Sequence, residues 1–363
     1  MTVALAMIVK NGAATMAQAI DPFLGIVDEI SIVLGGASCD NTSEIAEQYA
    51  TRFSEFEGPF HFGNARQQSF DQTAADWIIA VDADDLWEGV DQLPSFIAEA
   101  DEKKIDGIYT LYHLNDAEFF QPRVYRNGTG QWQGAVHEVY RTPSATRVMK
   151  TSALSVTQQK DDHRQGRSQQ NIDIGEQALR DDPYDMRTVA HLIKDYVGQG
   201  NFSQAKHYCN KYLALRGEGV PGHYDTEYLS VLHSKAELEL LDDDYADAAS
   251  TALSMLQVRE NAAAWAVFAE ACQKMAYGGR GLSKLAVFAA DQALFSGKPR
   301  TGQIHHAVLS GTIPCLIKAM ALHDLGDDQA ALQMADLGRL IDPTDERLIT
   351  VQEQLAGKLN EAA

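Results

Sequence analysis

At 363 residues, 45% hydrophobic and 22% charged, the chain has a globular composition and more length than one ordinary core sustains, so two domains are expected. A net charge of −21 repels phosphate backbones and anionic lipid surfaces unless basic residues gather locally, yet it is compatible with a nucleotide whose diphosphate is neutralised by a bound cation. Four widely spaced cysteines, Cys39, Cys209, Cys272 and Cys315, form no Cys-x-x-Cys pair, which argues against a zinc site or disulfide framework and points to reduced thiols in a cytoplasm.

The apolar start Val3-Ala4-Leu5-Ala6-Met7-Ile8-Val9 carries no basic leader and is too short to span a bilayer; it reads as a buried parallel strand running into Lys10-Asn11-Gly12. Further strands are expected near 29–34, 52–56 and 77–81, with helices near 14–24, 42–50 and 64–75 between them. Asp40, Asn41 and Thr42 supply capping chemistry for the second helix. Such alternation describes a mostly parallel sheet covered on both faces. Beyond it, residues 107–112 and 123–125 alternate in the manner of an antiparallel extension, the half expected to hold an acceptor. The polar stretch 158–171 reads as a linker or a loop folded over the site, and it places the boundary between a domain at 1–165 and another at 166–363.

From about residue 170 the pattern is helical and repetitive. Ala205, Ala248, Ala289 and Ala331 recur at intervals of about 42 residues, and Cys209, Ala252, Ala293 and Ala335 follow one helical turn later. Two small residues four apart share a helix face, where a neighbouring helix can approach closely. Turn signals at Gly200-Asn201, Asp243-Asp244 and Gly326-Asp327 precede three of the four units, and Pro343 follows the last. The segments "HLIKDYVGQGNFSQAKHYCNKYLAL" and "ALHDLGDDQAALQMADLGRLIDP" resemble tetratricopeptide repeats, although the period is longer than that family's usual unit. An ordinary Ala-rich helical bundle is the plainer alternative.

Val81-Asp82-Ala83-Asp84-Asp85 sets carboxylates at the carboxyl end of a buried strand, where open α/β sheets bind ligands. Two carboxylates one residue apart can reach one hard cation that also grips phosphate oxygens, whereas the plain reading is a cap for the next segment. The order and spacing of "AMIVKNGA", "DEISIVLGGASCDNTSEIAEQYA", "FGNARQQSFDQTAADWIIAVDADD" and "PRVYRNGTGQWQGAVHEVY" resemble family 2 glycosyltransferases with the GT-A fold, over roughly residues 1–165.

That resemblance implies an α/β GT-A domain joined to an all-α repeat domain, acting as a hexosyl- or pentosyltransferase with Mn²⁺ or Mg²⁺. It places the nucleotide-sugar donor against Val9, Lys10, Asn11, Gly35, Asp40, Arg66, Asp82, Ala83 and Arg164, and the metal on Asp82, Asp84 and His163. Two departures stand out: the first-strand motif ends in Gly12 where the family has Glu, and the second strand ends in Gly35 where it has an Asp facing the base. The nucleotide is therefore left open. For the base that takes the acceptor's proton, Glu138 is the first candidate, then His137, then Asp116, with Trp132 as a platform for a sugar ring or as a core residue.

Glycan, peptide and modified nucleobase of DNA all remain as acceptors, the last resting on Arg141, Arg147 and Lys150 as a local basic cluster. Solenoid surfaces suit a protein partner. A catalytically silent scaffold, suggested by Gly12 and Gly35, is the competing reading.

Overall fold

The computed structural model describes residues 1–114, 117–142, 146–159, 167–221, 225–276, 279–296 and 311–361. Two compact units divide the described residues, Met1–Pro183 in the first and those that begin at Tyr184 in the second.

In the first unit the leading elements are β1 (Val3–Val9), α1 (Met16–Ile20), β2 (Glu29–Leu34), α2 (Thr42–Tyr49), β3 (Arg52–Glu55), α3 (Phe62–Asp71) and β4 (Trp77–Ala80). They match the expected alternation with small shifts. The first helix is shorter than expected and hands over to a 3-10 turn at Asp21–Phe23, because Pro22 has no N–H to continue the α pattern. The third helix starts two residues early and stops at Asp71.

After β4 come β5 (Asp85–Glu88), α4 (Leu93–Glu102), β6 (Gly107–Leu114), β7 (Ala117–Arg126), β8 (Gln131–Gln133), β9 (Val139–Arg141), β10 (Val148–Gln158) and α5 (Arg167–Asp181). Eight strands form one sheet in the order β3-β2-β1-β4-β7-β6-β10-β5, and β8 pairs with β9 as a separate hairpin. The first four run parallel, while β7 lies antiparallel to both β4 and β6, which confirms the antiparallel extension. Strand β10 ends at Gln158, where the polar, linker-like stretch begins, and it pairs parallel with β6.

Burial explains why these runs are strands. Leu5, Met7, Ile32, Ile78 and Ile79 are fully buried, as a parallel sheet covered on both faces requires. Met16, Ile20 and Phe23 pack over one face with Leu93, Ile97 and Trp87. Fully burying such side chains contributes about 1.5–3 kcal/mol each.

The second unit is a run of antiparallel helices: α6 (Met186–Gly198), α7 (Phe202–Gly217), α8 (Asp225–Leu241), α9 (Tyr245–Val258), α10 (Ala262–Met275), α11 (Arg280–Phe295), α12 (Ile313–Leu325), α13 (Asp328–Ile341) and α14 (Glu346–Glu361). Both small-residue sets lie on its second helices, α7, α9, α11 and α13. Ala205, Ala248, Ala289 and Ala331 are fully buried, and Cys209, Ala252, Ala293 and Ala335 are buried one turn later. Each expected turn is present, with Gly200, Asp243 and Gly326 at positive φ. Asn201 and Asp327 then cap the following helices by accepting from Gln204 N–H and Ala330 N–H. No described helix is long and apolar enough to cross a membrane, and all four cysteines are free.

Candidate active site

Strand β4 delivers the chain to a tight turn at the mouth of the sheet. Asp85 N–H donates to the Asp82 carbonyl at 3.0 Å, and Asp82 N–H donates back to Asp85 Oδ2 at 3.0 Å, so the turn is closed twice. Tyr112 on β6 adds its hydroxyl to Asp85 Oδ1 at 3.1 Å. The Asp82 carboxylate lies between two guanidiniums: Arg66 Nη2 donates to Oδ1 at 2.5 Å and Arg123 Nη1 to Oδ2 at 2.9 Å. Arg123 also reaches Asp85 Oδ2 at 3.4 Å and lies 4.9 Å from the Tyr112 ring centre.

Arg66 brings in a distant segment. Its Nη2 and Nε donate to Glu138 Oε1 at 3.0 and 3.3 Å, so a carboxylate 56 positions beyond Asp82 shares one guanidinium with it. The segment is held in place at the start of α3, where Phe62 N–H donates to the Ala135 carbonyl at 2.9 Å and Gly63 N–H to that of Gly134 at 3.0 Å. A Cβ on Gly63 would sit 2.7 Å from that Gly134 oxygen, which explains the glycine. His137, next to Glu138, is exposed and adopts a left-handed backbone (φ 52°), an unusual state for a non-glycine residue. Trp132 is half-buried and packed edge-on against Phe70 and Tyr125 at 5.5 Å, with Arg66 over its ring at 5.6 Å.

These contacts set the charge states. Burial opposes ionisation of Asp82, but Arg66 and then Arg123 overcome it and hold the carboxyl well below its usual range. Burial dominates at Asp85 and pushes it up to about 7, against the pull of Arg123 and with the push of Asp82. Asp85, Arg123 and Tyr112 did not stand out in the sequence. The signals were faint: a third acid after Asp-Ala-Asp, and an arginine inside an apolar strand.

On the other side of the turn the β1 and β2 loops are tied into one body. Asn11, at φ 51°, donates its N–H to Ser38 Oγ and accepts from Cys39 N–H through Oδ1 at 2.8 Å. Gly12 N–H reaches Thr42 Oγ1 at 2.8 Å, and Ala13 N–H reaches Asp40 Oδ2 at 3.1 Å. Asp40 thus braces both loops, also accepting from Thr42 N–H. Val9 is buried at the end of β1, Gly35 is buried after β2, and Lys10 is exposed. Asp84 is 9% exposed, with its Oδ2 accepting from Gln158 Nε2 at 3.2 Å and its carbonyl from Gln159 N–H at 2.8 Å. Asp116, His163 and Arg164 lie outside the described residues.

Residues 5–158 match the family described as Glycosyl transferase family 2. The chain carries a family 2 glycosyltransferase domain. No curated protein matches the chain. Among solved structures it is similar to S. aureus TarS 1-349 in complex with UDP-GlcNAc, at 12% identity and a TM-score of 0.39, over 84% of this chain and 96% of that one. It is also similar to YrrB, a TPR protein with an unusual peptide-binding site (14%, TM-score 0.37, 51% of this chain and 84% of that). A third similarity is to a chain of the APC/C hetero-tetramer Cut9-Hcn1 (17%, TM-score 0.41, 53% and 34%), of whose length this chain spans about a third.

Within the glycosyltransferase domain, both departures from the family pattern fall at closely packed positions. A Cβ on Gly12 would stand 2.5 Å from Val9 Cγ2 and 3.2 Å from the Ala83 Cβ, inside the turn between Asp82 and Asp84. One on Gly35 would stand 2.9 Å from the ring of Phe60. The space a carboxylate side chain would need at either position is filled by a neighbour.

Among the described residues no three His, Cys, Asp or Glu side chains converge on one point. Both Asp82 oxygens face guanidinium, whereas Asp84 Oδ2 meets the neutral amide of Gln158. One or two carboxylates, with phosphate oxygens and water completing the shell, is the donor set Mg²⁺ takes when it binds with a nucleotide. The turn fits such an ion.

Proposed function

We propose that the chain is an inverting glycosyltransferase that takes a sugar from a nucleotide-sugar donor and passes it to a nucleophile, usually a hydroxyl, of an acceptor. What carries the reading is the single guanidinium of Arg66, which joins the Asp82 turn to Glu138 inside the domain matched to family 2. Asp84, assisted by Asp82, would hold Mn²⁺ or Mg²⁺, which supplies charge stabilisation to the departing diphosphate. Arg66 and Arg123 keep Asp82 ionised and fixed. Glu138 Oε1 is committed to Arg66, so Oε2 is the atom proposed to accept the acceptor's proton, with His137 next to it as the second candidate.

The donor's base is not assigned, because Gly12 and Gly35 lack the side chains that read it elsewhere in the family. A peptide, glycan or nucleobase acceptor is equally consistent with the geometry, and the helical unit is proposed to contribute a protein-binding surface.

The test is calorimetric titration of the full chain with UDP, GDP and ADP, with and without Mn²⁺. Metal-dependent binding of at least one nucleotide is expected, weakened tenfold or more by Asp84→Ala; binding indifferent to metal and to Asp84 would sink the metal assignment. Glu138→Gln should lower kcat by about 10²–10⁴ without weakening nucleotide binding.

A further inference from the structure

We propose that Arg66 is a positioning residue that couples occupancy of the donor side to the state of the acceptor-side carboxylate, a role that rests on the functional reading above. One positive charge serves two carboxylates from separate segments. Nη2 donates to Asp82 Oδ1 and to Glu138 Oε1, and Nε strengthens the second contact.

Three features give this sharing a use beyond holding the fold. Arg66 is 4% exposed, so its charge is little screened by water and what one carboxylate takes the other loses. Its Nη1 has no acceptor among the described residues although it is buried, which leaves a donor in reserve beside the turn. The two carboxylates also differ in security: Asp82 has Arg123 as a second partner, while Glu138 pairs with Arg66 alone among the described residues. An anion arriving at the turn draws on the arginine charge and loosens Glu138, which then becomes the better proton acceptor. Asp82 stays ionised through Arg123. In this way the base is restrained until a donor is present.

The coupling is reciprocal, so it can be read from the donor side alone. Whichever of UDP, GDP or ADP the native protein binds with Mn²⁺ is titrated into native, Glu138→Gln, Arg66→Lys and the double variant. Removing the Glu138 charge should raise nucleotide affinity about fivefold in the native background and by roughly twofold or less in the Arg66→Lys background, since a single ammonium cannot bridge both carboxylates. Equal gains in both backgrounds overturn the proposal, because direct repulsion between Glu138 and the diphosphate would act the same in each.

A second cycle needs no ligand and avoids any folding defect of Arg66→Lys. Thermal unfolding of Asp82→Asn, Glu138→Gln and their combination should be non-additive, each single change leaving the arginine to the remaining partner; additivity overturns the sharing. If the native protein binds no nucleoside diphosphate, the functional reading fails and this thermal cycle alone decides the role of Arg66.

Discussion

The two units bury different things. Every fully or nearly buried charged residue among those described, Arg66, Asp84, Asp85 and Arg123, lies in the first unit and within one turn and its surroundings. The helical unit closes instead on alanine: Ala248, Ala252, Ala269, Ala271, Ala286, Ala289 and Ala290 form one cluster, and its buried polar residues are Ser and Thr. Burying charge costs several kcal/mol per ion unless it is paired, so a fold concentrates it where chemistry uses it. Burying alanine loses no side-chain entropy and lets helices pack at short range. Buried charge marks the reactive half, and small residues mark the half built by stacking.

The comparison is broken most sharply at Arg123. Arg123→Met should leave Asp82 and Asp85 facing each other without a shared cation, lowering stability of the first unit by about 3–5 kcal/mol in denaturant unfolding. A loss below about 1 kcal/mol, the level of an exposed pair, would mean that the buried pairs are not sustained by this arginine. Next comes the helical core. Ala289→Leu inserts three carbons where the Cβ is fully buried, and about 1–3 kcal/mol of destabilisation is expected with nucleotide affinity unchanged. A change in nucleotide affinity would show that the division of labour is wrong.

The smallest effect is a slope. Because the folded Asp85 carboxyl is raised from 3.8 to about 7, its protonated form favours the folded state, fully below about pH 4, and the contribution is lost as pH rises through about 7. In metal-free protein, melting temperature should therefore carry a downward component between about pH 4 and 7, and Asp85→Asn should flatten it. An unchanged slope in that variant would assign the titration elsewhere.

Much of this architecture is legible in sequence because it rests on local periodicity. The parallel strands announce themselves as unbroken apolar runs, and the repeat is readable because close helix contact demands small residues at fixed intervals. Of the candidate site, Asp82-Ala83-Asp84 and His137-Glu138 stand out as local clusters, and Arg66 through the family resemblance. Arg123 does not, since nothing local distinguishes an arginine that pairs across a sheet from one that points to water. Strand β10 carries no unbroken apolar run: Leu154 and Val156 are its buried anchors, set among polar residues that give no strand signal. The polar Arg167–Asn171 stretch likewise opens a helix whose buried residues, Ile172 and Leu179, come later.

The start of α3 has one further consequence. A helix N-terminus normally offers uncommitted N–H groups to a passing phosphate. Here the first two are occupied by the carbonyls of Ala135 and Gly134, and the third, on Asn64, by the imidazole Nδ1 of His61. The backbone has no seat left there for an anion. A diphosphate held as proposed beside the Asp82 turn would therefore find no backbone seat at the start of α3, and with side-chain charge as its main contact its affinity should decline steeply with ionic strength.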